Sequence, residues 1–369
     1  MLIVSLITLG DPRTLSGGYL YHQRVAALAP AFDARVRFVS IPMAPFPLPV
    51  VAAPVALCRA ARQRPDVLLI DSIAAAYVGP WLPALRPRLP VAGMLHQPPG
   101  GIDHGRLRTR VQAKLDRLAY SRATRLLVAS ASLADDLVAQ GVPSGKLVIV
   151  SPGRDVASER AEPSGDLRMG RRAALVSVGN WVARKGLLDL LDAVSRLPDD
   201  AATLHLVGDT DVELGYSARV RARLRAPDLA GRVVVHGPLP ARQVAALYAA
   251  ADVFVLASIR EPYGTVYGEA MAAGLPVVGY RAGNLPHLID DGEQGLIVPP
   301  GDVVALAAAL GRLVGDPQVR ARMGEGAARR AATFPTWHDS AARLFAELRA
   351  AATSPGTTLR RPRAQPSRD

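Results

Sequence analysis

One cysteine, Cys58, stands among 369 residues. That excludes a disulfide framework and a cysteine-built metal cluster, and makes a reducing cytosol the default setting. Lysine is almost as scarce: of 44 cationic residues only Lys114, Lys146 and Lys185 are lysines, a bias that reads as GC-rich coding rather than as a grip on nucleic acid. Aromatic residues make up 5% and no recognised module appears, so nucleic acid is not the expected partner. No basic segment precedes Leu2-Ile3-Val4-Ser5-Leu6-Ile7 and no small-residue cleavage site follows it, so the opening reads as a strand rather than a leader. The longest uncharged stretch, Phe38–Cys58, has the length to span a bilayer. It carries Pro42, Pro45, Pro47, Pro49 and Pro54, each costing a helix interior about 3 kcal/mol, and a transmembrane helix is rejected there.

What is present is globular: 49% apolar and 21% charged residues, in a length that favours two domains. The net charge of +12 is uneven. Residues 1–165 hold 19 Lys+Arg against 11 Asp+Glu, whereas residues 166–352 hold 21 against 20. Short apolar runs (Leu2–Thr8, Val36–Ile41, Val67–Ile70, Val91–Leu95, Arg125–Ala129, Lys146–Val150) alternate with amphipathic segments such as Gly18–Ala29, Ile73–Leu85 and Leu107–Ser121. Unbroken Val/Leu/Ile runs mark strands buried on both faces of a parallel sheet. Ser151–Arg172, rich in Pro, Gly, Ser and charge, reads as a linker. A second series follows, with strands at Ala173–Val178, Thr203–Val207, Val233–His236, Val253–Leu256, Pro276–Gly279 and Gly295–Val298. The expected fold class is α/β: two doubly wound Rossmann-like domains facing across a cleft, with loops from both supplying one site at the carboxyl ends of the strands. The expected division is 1–165, 166–335, a helix over 336–352 returning to the first domain, and a disordered basic tail, 353–369.

The densest chemical signal runs from Glu261 to Val278. Gly264 lets backbone approach a ligand, and the amides of Thr265 and Val266 open a helix whose free N–H groups and dipole attract an anion. Glu269, one turn on, suits vicinal hydroxyls, and Glu261 could accept hydrogen bonds from a sugar. The plainer alternative is a glycine-turned junction carrying two solvated glutamates. A second signal is Gly179-Asn180-Trp181-Val182-Ala183-Arg184-Lys185-Gly186, where Lys185 is either a compact charge for a diphosphate or a surface lysine.

The stretch Glu261-Pro262-Tyr263-Gly264-(x)-Glu269-Ala270-Met271-Ala272-(x)-Gly274-(x)-Pro276-Val277-Val278 resembles the signature E-P-F-G-x-x-x-x-E-A-M-A-x-G-x-P-V-V of the family-4 retaining glycosyltransferases of GT-B fold, with Tyr263 for Phe. The resemblance runs from Leu2 to about Leu348. It includes Val207-Gly208-Asp209, His236-Gly237, Leu247-Tyr248-x-x-Ala251-Asp252 and Asp291-Gly292-x-x-Gly295-Leu296-x-Val298-x-Pro300-Gly301-Asp302. It implies that Glu269 binds the nucleotide ribose, that Glu261 contacts the donor sugar, and that the amides of Gly264, Thr265 and Val266 hold the distal phosphate. It implies an Arg five or six residues before Lys185. Gly179 and Asn180 stand there instead, leaving Arg184 or the Asn180 amide to assist Lys185. It makes Ser16-Gly17-Gly18-Tyr19, otherwise a simple turn, the loop that abuts the donor phosphates, and gives His96, otherwise a structural histidine, a role at the donor sugar. Asp71 ends its strand where it could orient an acceptor hydroxyl. The seven histidines are scattered and Asp209-Thr210-Asp211 lies at the nucleotide edge, so no metal cluster and no cofactor is expected. Base choice is placed near His236–Leu239.

The function these features imply is transfer, with retention, of a sugar from a UDP- or GDP-sugar donor to an acceptor hydroxyl (hexosyltransferase class) on a glycolipid, polysaccharide or small molecule. The alternatives are a nucleotide-sugar epimerase or hydrolase of the same fold, or a non-catalytic nucleotide-sugar-binding protein. Arg106, Arg110, Lys114 and Arg117 recur at helical spacing beside Leu107, Val111, Leu115 and Leu118. This is either an ordinary amphipathic helix lying on the sheet or a helix that docks on an anionic membrane surface. The proline-rich stretch Pro42–Pro54 reads as a partner surface or a wall of the acceptor site. The expected location is cytoplasmic, with peripheral contact to the inner face of the membrane.

Overall fold

Runs such as Val67-Leu68-Leu69-Ile70 are buried at every residue, as strands covered on both faces must be. The computed structural model describes residues 1–13, 17–84, 89–155, 162 and 164–353. Ser16, residues 156–161 and 163 of the expected linker and the expected tail beyond Thr353 lie outside the described residues. The strands β1 (Leu2–Leu9), β2 (Ala34–Ile41), β3 (Val67–Asp71), β4 (Val91–Leu95), β5 (Arg125–Val128) and β6 (Leu147–Ile149) form one parallel sheet, ordered β2-β1-β3-β4-β5-β6. Helices α1 (Gly17–Leu28), α2 (Pro49–Arg62), α3 (Ser72–Val78), α4 (Arg106–Arg122) and α5 (Ala131–Ala139) connect them.

A second parallel sheet comprises β7 (Ala173–Val178), β8 (Ala202–Val207), β9 (Val233–Gly237), β10 (Val253–Leu256), β11 (Val277–Tyr280) and β12 (Gly295–Val298), ordered β12-β11-β10-β7-β8-β9. Its helices are α6 (Leu187–Ser195), α7 (Leu214–Leu224), α8 (Ala241–Ala250), α9 (Thr265–Ala272), α10 (Leu285–Leu288), α11 (Val303–Gly315) and α12 (Pro317–Ala332). These are two Rossmann-like domains.

The chain divides into two compact units, one of Met1–Gly153 with the segment from Trp337, the other of Arg154–Thr336. Arg154 belongs to the second unit by its bonds: its N–H donates to Pro335 O at 2.9 Å and its guanidinium to Phe334 O at 3.1 Å. The last helix, α13 (Trp337–Thr353), packs in the first unit. It buries Leu344, Phe345 and Leu348 in a core with Leu2, Val4 and Tyr21, worth about 2–3 kcal/mol for each large side chain.

One stretch of the first unit forms an element not expected from its sequence, and one reading is corrected. The proline-rich stretch contains α2, with Pro49 in its first turn and Pro54 inside it. Proline is harmless at the first helical position. Pro54 leaves the Val50 carbonyl without its helical donor, and the Trp81 indole Nε1–H supplies one at 2.8 Å. The helix α4 is also turned from the expected face. It buries Gln112, Ala113, Asp116, Ala119 and Tyr120, while Leu107, Val111 and Leu118 are exposed beside Arg106, Arg110, Lys114 and Arg117. Close approach explains the choice. A Cβ at Gly79 would lie 2.5 Å from Leu115 O, so the contact admits small residues and turns the leucines outward. Among the described residues no helix is long and apolar enough to cross a membrane.

Candidate active site

In the second sheet the strand order reverses between β7 and β10, and ligands of such sheets sit beyond the strand ends at that point. The loop after β7 carries Asn180, Arg184 and Lys185; the loop after β10 carries Glu261 and Gly264. The fold brings the two loops together. Lys185 Nζ donates to Glu261 Oε2, and Arg184 Nη1 lies 3.6 Å from the same oxygen. Lys185 is only 8% exposed. Two residues assigned by resemblance to different parts of a donor are thus paired with each other. Two cations face this carboxylate in a poorly solvated setting, where cations attract an anion strongly.

Gly264 caps α9 in the left-handed region, φ 81°. A Cβ there would meet the Tyr267 ring at 2.5 Å and Glu261 Cγ at 3.2 Å, so conformation and space both demand glycine. Asn284 clamps the turn, its N–H donating to Glu261 O at 2.9 Å and its Nδ2 to Tyr263 O at 3.0 Å. The amides of Thr265 and Val266 open α9, and first-turn amides have no carbonyl within a helix to bond.

Glu269 lies on the second turn of α9, with the Tyr248 hydroxyl 3.5 Å from Oε2. The side chain keeps solvent access, yet the protein packed around it pushes its pKa up, against the pull of the Tyr248 hydrogen bond. Asn180 is exposed and its Oδ1 accepts the Asp209 N–H at 3.1 Å. That bond fastens the loop after β7 to the loop after β8. Sequence reasoning left Asn284 and the carboxylate–phenol contact at Tyr248 unassigned; both partners come from distant parts of the chain.

The remaining candidates lie in the first unit, again at the reversal of strand order, between β1 and β3. His96 follows β4 and its backbone N–H donates to Ser72 Oγ at 3.3 Å. A Cβ on Gly18 would stand 3.5 Å from His96 Cδ2, so the Gly17-Gly18 end of α1 abuts this ring. Asp71 is 1% exposed. It accepts from Thr8 Oγ1 at 2.9 Å, lies 3.1 Å from His22 Nε2 and caps α3 through Ile73 N–H. Its carboxylate is therefore engaged inside the unit rather than offered to an acceptor hydroxyl. The histidines are not all scattered either: His22, Asp71 and His96 bring ligand atoms within 4.8 Å of one another. The signal for His22 was its place four residues after Gly18, one helical turn along α1.

The family described as "Glycosyl transferases group 1" matches residues 172–316 and the "Glycosyl transferase 4-like domain" matches residues 4–153. A D-inositol 3-phosphate glycosyltransferase of Corynebacterium glutamicum is 33% identical over 215 residues, covering 55% of this chain and 49% of its own. An MMP alpha-(1->4)-mannosyltransferase of Mycolicibacterium hassiacum is 34% identical over 232 residues, covering 62% and 54%. The chain spans about half the length of the curated relatives it matches. Among solved structures, sucrose-phosphate synthase from Thermosynechococcus elongatus superposes with a TM-score of 0.81 at 21% identity, covering 95% of this chain and 100% of that one. Anabaena HepE in complex with UDP and glucose gives 0.77 at 20%, with the same coverage. At such identities the likeness shows the fold, which is GT-B. The chain belongs to the family-4 glycosyltransferases.

Proposed function

We propose that the protein is a retaining glycosyltransferase of the hexosyltransferase class, moving a sugar from a UDP- or GDP-sugar to an acceptor hydroxyl. The observation that carries the reading is the cluster of Lys185, Arg184 and Glu261 beside the first turn of α9. It sets two cations beside the amide-lined start of a helix, with a ribose-type carboxylate, Glu269, one turn along the same helix. The named activities of the relatives above and the UDP-bound state of HepE support it.

When a donor binds, its diphosphate competes with Glu261 for Lys185 and Arg184 and accepts from the amides of Thr265 and Val266. Glu261, released from the ion pair, is available to the hydroxyls of the sugar. His96 serves the donor sugar by the resemblance. In a front-face substitution the bond from the anomeric carbon to the acceptor oxygen forms as the bond to the phosphate oxygen breaks on the same side. The departing phosphate oxygen takes the acceptor proton, giving glycosylated acceptor and nucleoside diphosphate. Lys185, Arg184 and the two amides stabilise the charge that grows on that oxygen.

A thermal-shift panel of UDP- and GDP-sugars tests the donor. A sugar nucleotide at 100 times its Kd stabilises by about 2.7 kcal/mol; no shift with any of them would remove the reading, and release of free sugar without acceptor would convert it to hydrolysis. For the acceptor side we propose an anionic membrane surface as the place of work. The exposed faces of α2 and α4 carry Arg59, Arg62, Arg106, Arg108, Arg110, Lys114, Arg117 and Arg122 with Leu107, Val111 and Leu118, and the one acid of these two helices, Asp116, is buried. Basic and apolar groups together are what an anionic interface binds. Sedimentation with phosphatidylglycerol vesicles should exceed that with phosphatidylcholine and fall for L107E/V111E; equal sedimentation with both would contradict it.

A further inference from the structure

We propose that His22 and Asp71 are a buried positioning pair that fixes the ring of His96 in one neutral form and one orientation. His96's part in turnover rests on the glycosyl-transfer reading; the pair itself rests on geometry within the first unit.

The strand order places the ends of β1 and β3 side by side, with Ile7 paired to Ile70. One residue on, Thr8 Oγ1 donates to Asp71 Oδ2 at 2.9 Å. The helix α1 brings His22 Nε2 to 3.1 Å from that same oxygen. On the other side Ser72 Oγ stands 3.4 Å from Asp71 Oδ1 and accepts the His96 N–H. The His96 ring is wedged edge-on against two rings of α1, with centroids 4.9 Å from Tyr21 and 5.0 Å from His22. Gly18 lies against the same ring, where an added Cβ would be in ordinary contact with Cδ2 at 3.5 Å. His96 Nε2 is shielded from solvent with no hydrogen-bond partner among the described residues.

Two features make this more than packing. Both His22 and Asp71 are 1% exposed, and burying a carboxylate costs several kcal/mol unless it is fully paired. An apolar pair would serve the fold as well. His96 Nε2 is buried without a hydrogen-bond partner among the described residues, as is His22 Nδ1, but His96 lies on the strand end where ligands of such sheets sit; a buried unpaired polar atom is costly, and there a sugar hydroxyl would satisfy it. The titratable groups facing the cluster are His22 and Tyr19 from α1, Asp71 from β3 and Tyr120 from α4. Burial, and then the charge of His22, push the His96 pKa down to about 3 against the opposing pull of Asp71. Burial pushes Asp71 up, but His22, His96 and Thr8 together hold its carboxyl below the usual range. His96 is therefore a hydrogen-bonding group rather than a proton donor, and Asp71 acts through it rather than on an acceptor.

Ring-15N-labelled histidine reports protonation and tautomer of each imidazole directly. In the wild type His96 should stay neutral and in one tautomer from pH 8 to pH 5. In H22Q, and in the isosteric D71N, it should become a mixture of tautomers. An unchanged His96 signal in both variants, with the melting temperature preserved, would overturn the proposal. In turnover, H22Q should lower kcat about tenfold or more with the KM for nucleotide sugar changed less than twofold. H22Q/H96A should be no slower than H96A alone, and an additive loss would count as decisively against it. Tight binding of Zn²⁺ or Co²⁺ by the wild type, lost in H22Q, would overturn it too, by assigning the pair to an ion. If no nucleotide sugar supports turnover in the wild type, the glycosyl-transfer reading fails while the imidazole spectra still decide the pair.

Discussion

The two units solve one topological problem with opposite electrostatics. Each is a parallel six-stranded sheet whose order reverses once, between β1 and β3 in the first and between β7 and β10 in the second. At the second reversal the side chains are two cations sharing one carboxylate. At the first they are an aspartate, two histidines and a threonine packed together, all buried but the partly exposed His96. The difference follows from what each would meet. On the proposed reading the second reversal offers cations and amides to a diphosphate, and the first offers a neutral hydrogen-bonding group, held still, to an uncharged sugar ring.

The sharpest way to break the comparison is Lys185→Ala. Turnover should fall about 100-fold or more, the loss typical of a donor to developing anionic charge. The melting temperature should move little, because Glu261 keeps Arg184 at 3.6 Å. A K185A enzyme with wild-type kcat would refute the assignment of charge to the second unit. Glu269→Gln is the next largest change. Charge-assisted hydrogen bonds are worth roughly 1.5–3 kcal/mol against about 1 for neutral ones, so nucleotide-sugar affinity by calorimetry should drop about tenfold. Because the Glu269 pKa is raised, wild-type affinity should rise as pH climbs through that value, and E269Q should lose the dependence.

Asp116 offers a third test, in the first unit. Burial raises its pKa to about 7, against the pull of the Gly100 N–H that it accepts at 2.8 Å. Between its ordinary value and 7 the folded protein holds a proton that the unfolded chain has released, so stability falls as pH rises through that window. Denaturant unfolding of D116N should show a flatter profile between pH 4 and pH 7; an identical slope would show that Asp116 carries none of it. The smallest effect is Trp81→Phe. It removes the donor that replaces Pro54's missing N–H at Val50 O, and should cost about 1 kcal/mol, read as a shift of a few degrees in melting temperature.

Much of the second unit's site was legible. Glu261, Gly264 and Glu269 sit within nine residues, and Lys185 follows a strand that is apolar but for Ser177. Local spacing carries such a site because one strand–turn–helix unit builds most of it. The first unit was less legible. Thr8, His22, Asp71 and His96 come from four separate elements, and no spacing along the chain announces that they meet. The rotation of α4 was hidden for a related reason: its apolar stripe is real, but close contact at Gly79 selects the small-residue face.

By itself, then, the order of residues settled two parallel sheets, the glycine turn ahead of α9 and the family, because hydrophobic period and glycine placement act over a few residues. Only the folded chain decided that Lys185 neutralises Glu261, that Asp71 turns inward to His22, and which face of α4 meets water. Those outcomes depend on distances between elements far apart in sequence, where close packing and the cost of an unpaired buried charge choose the partner.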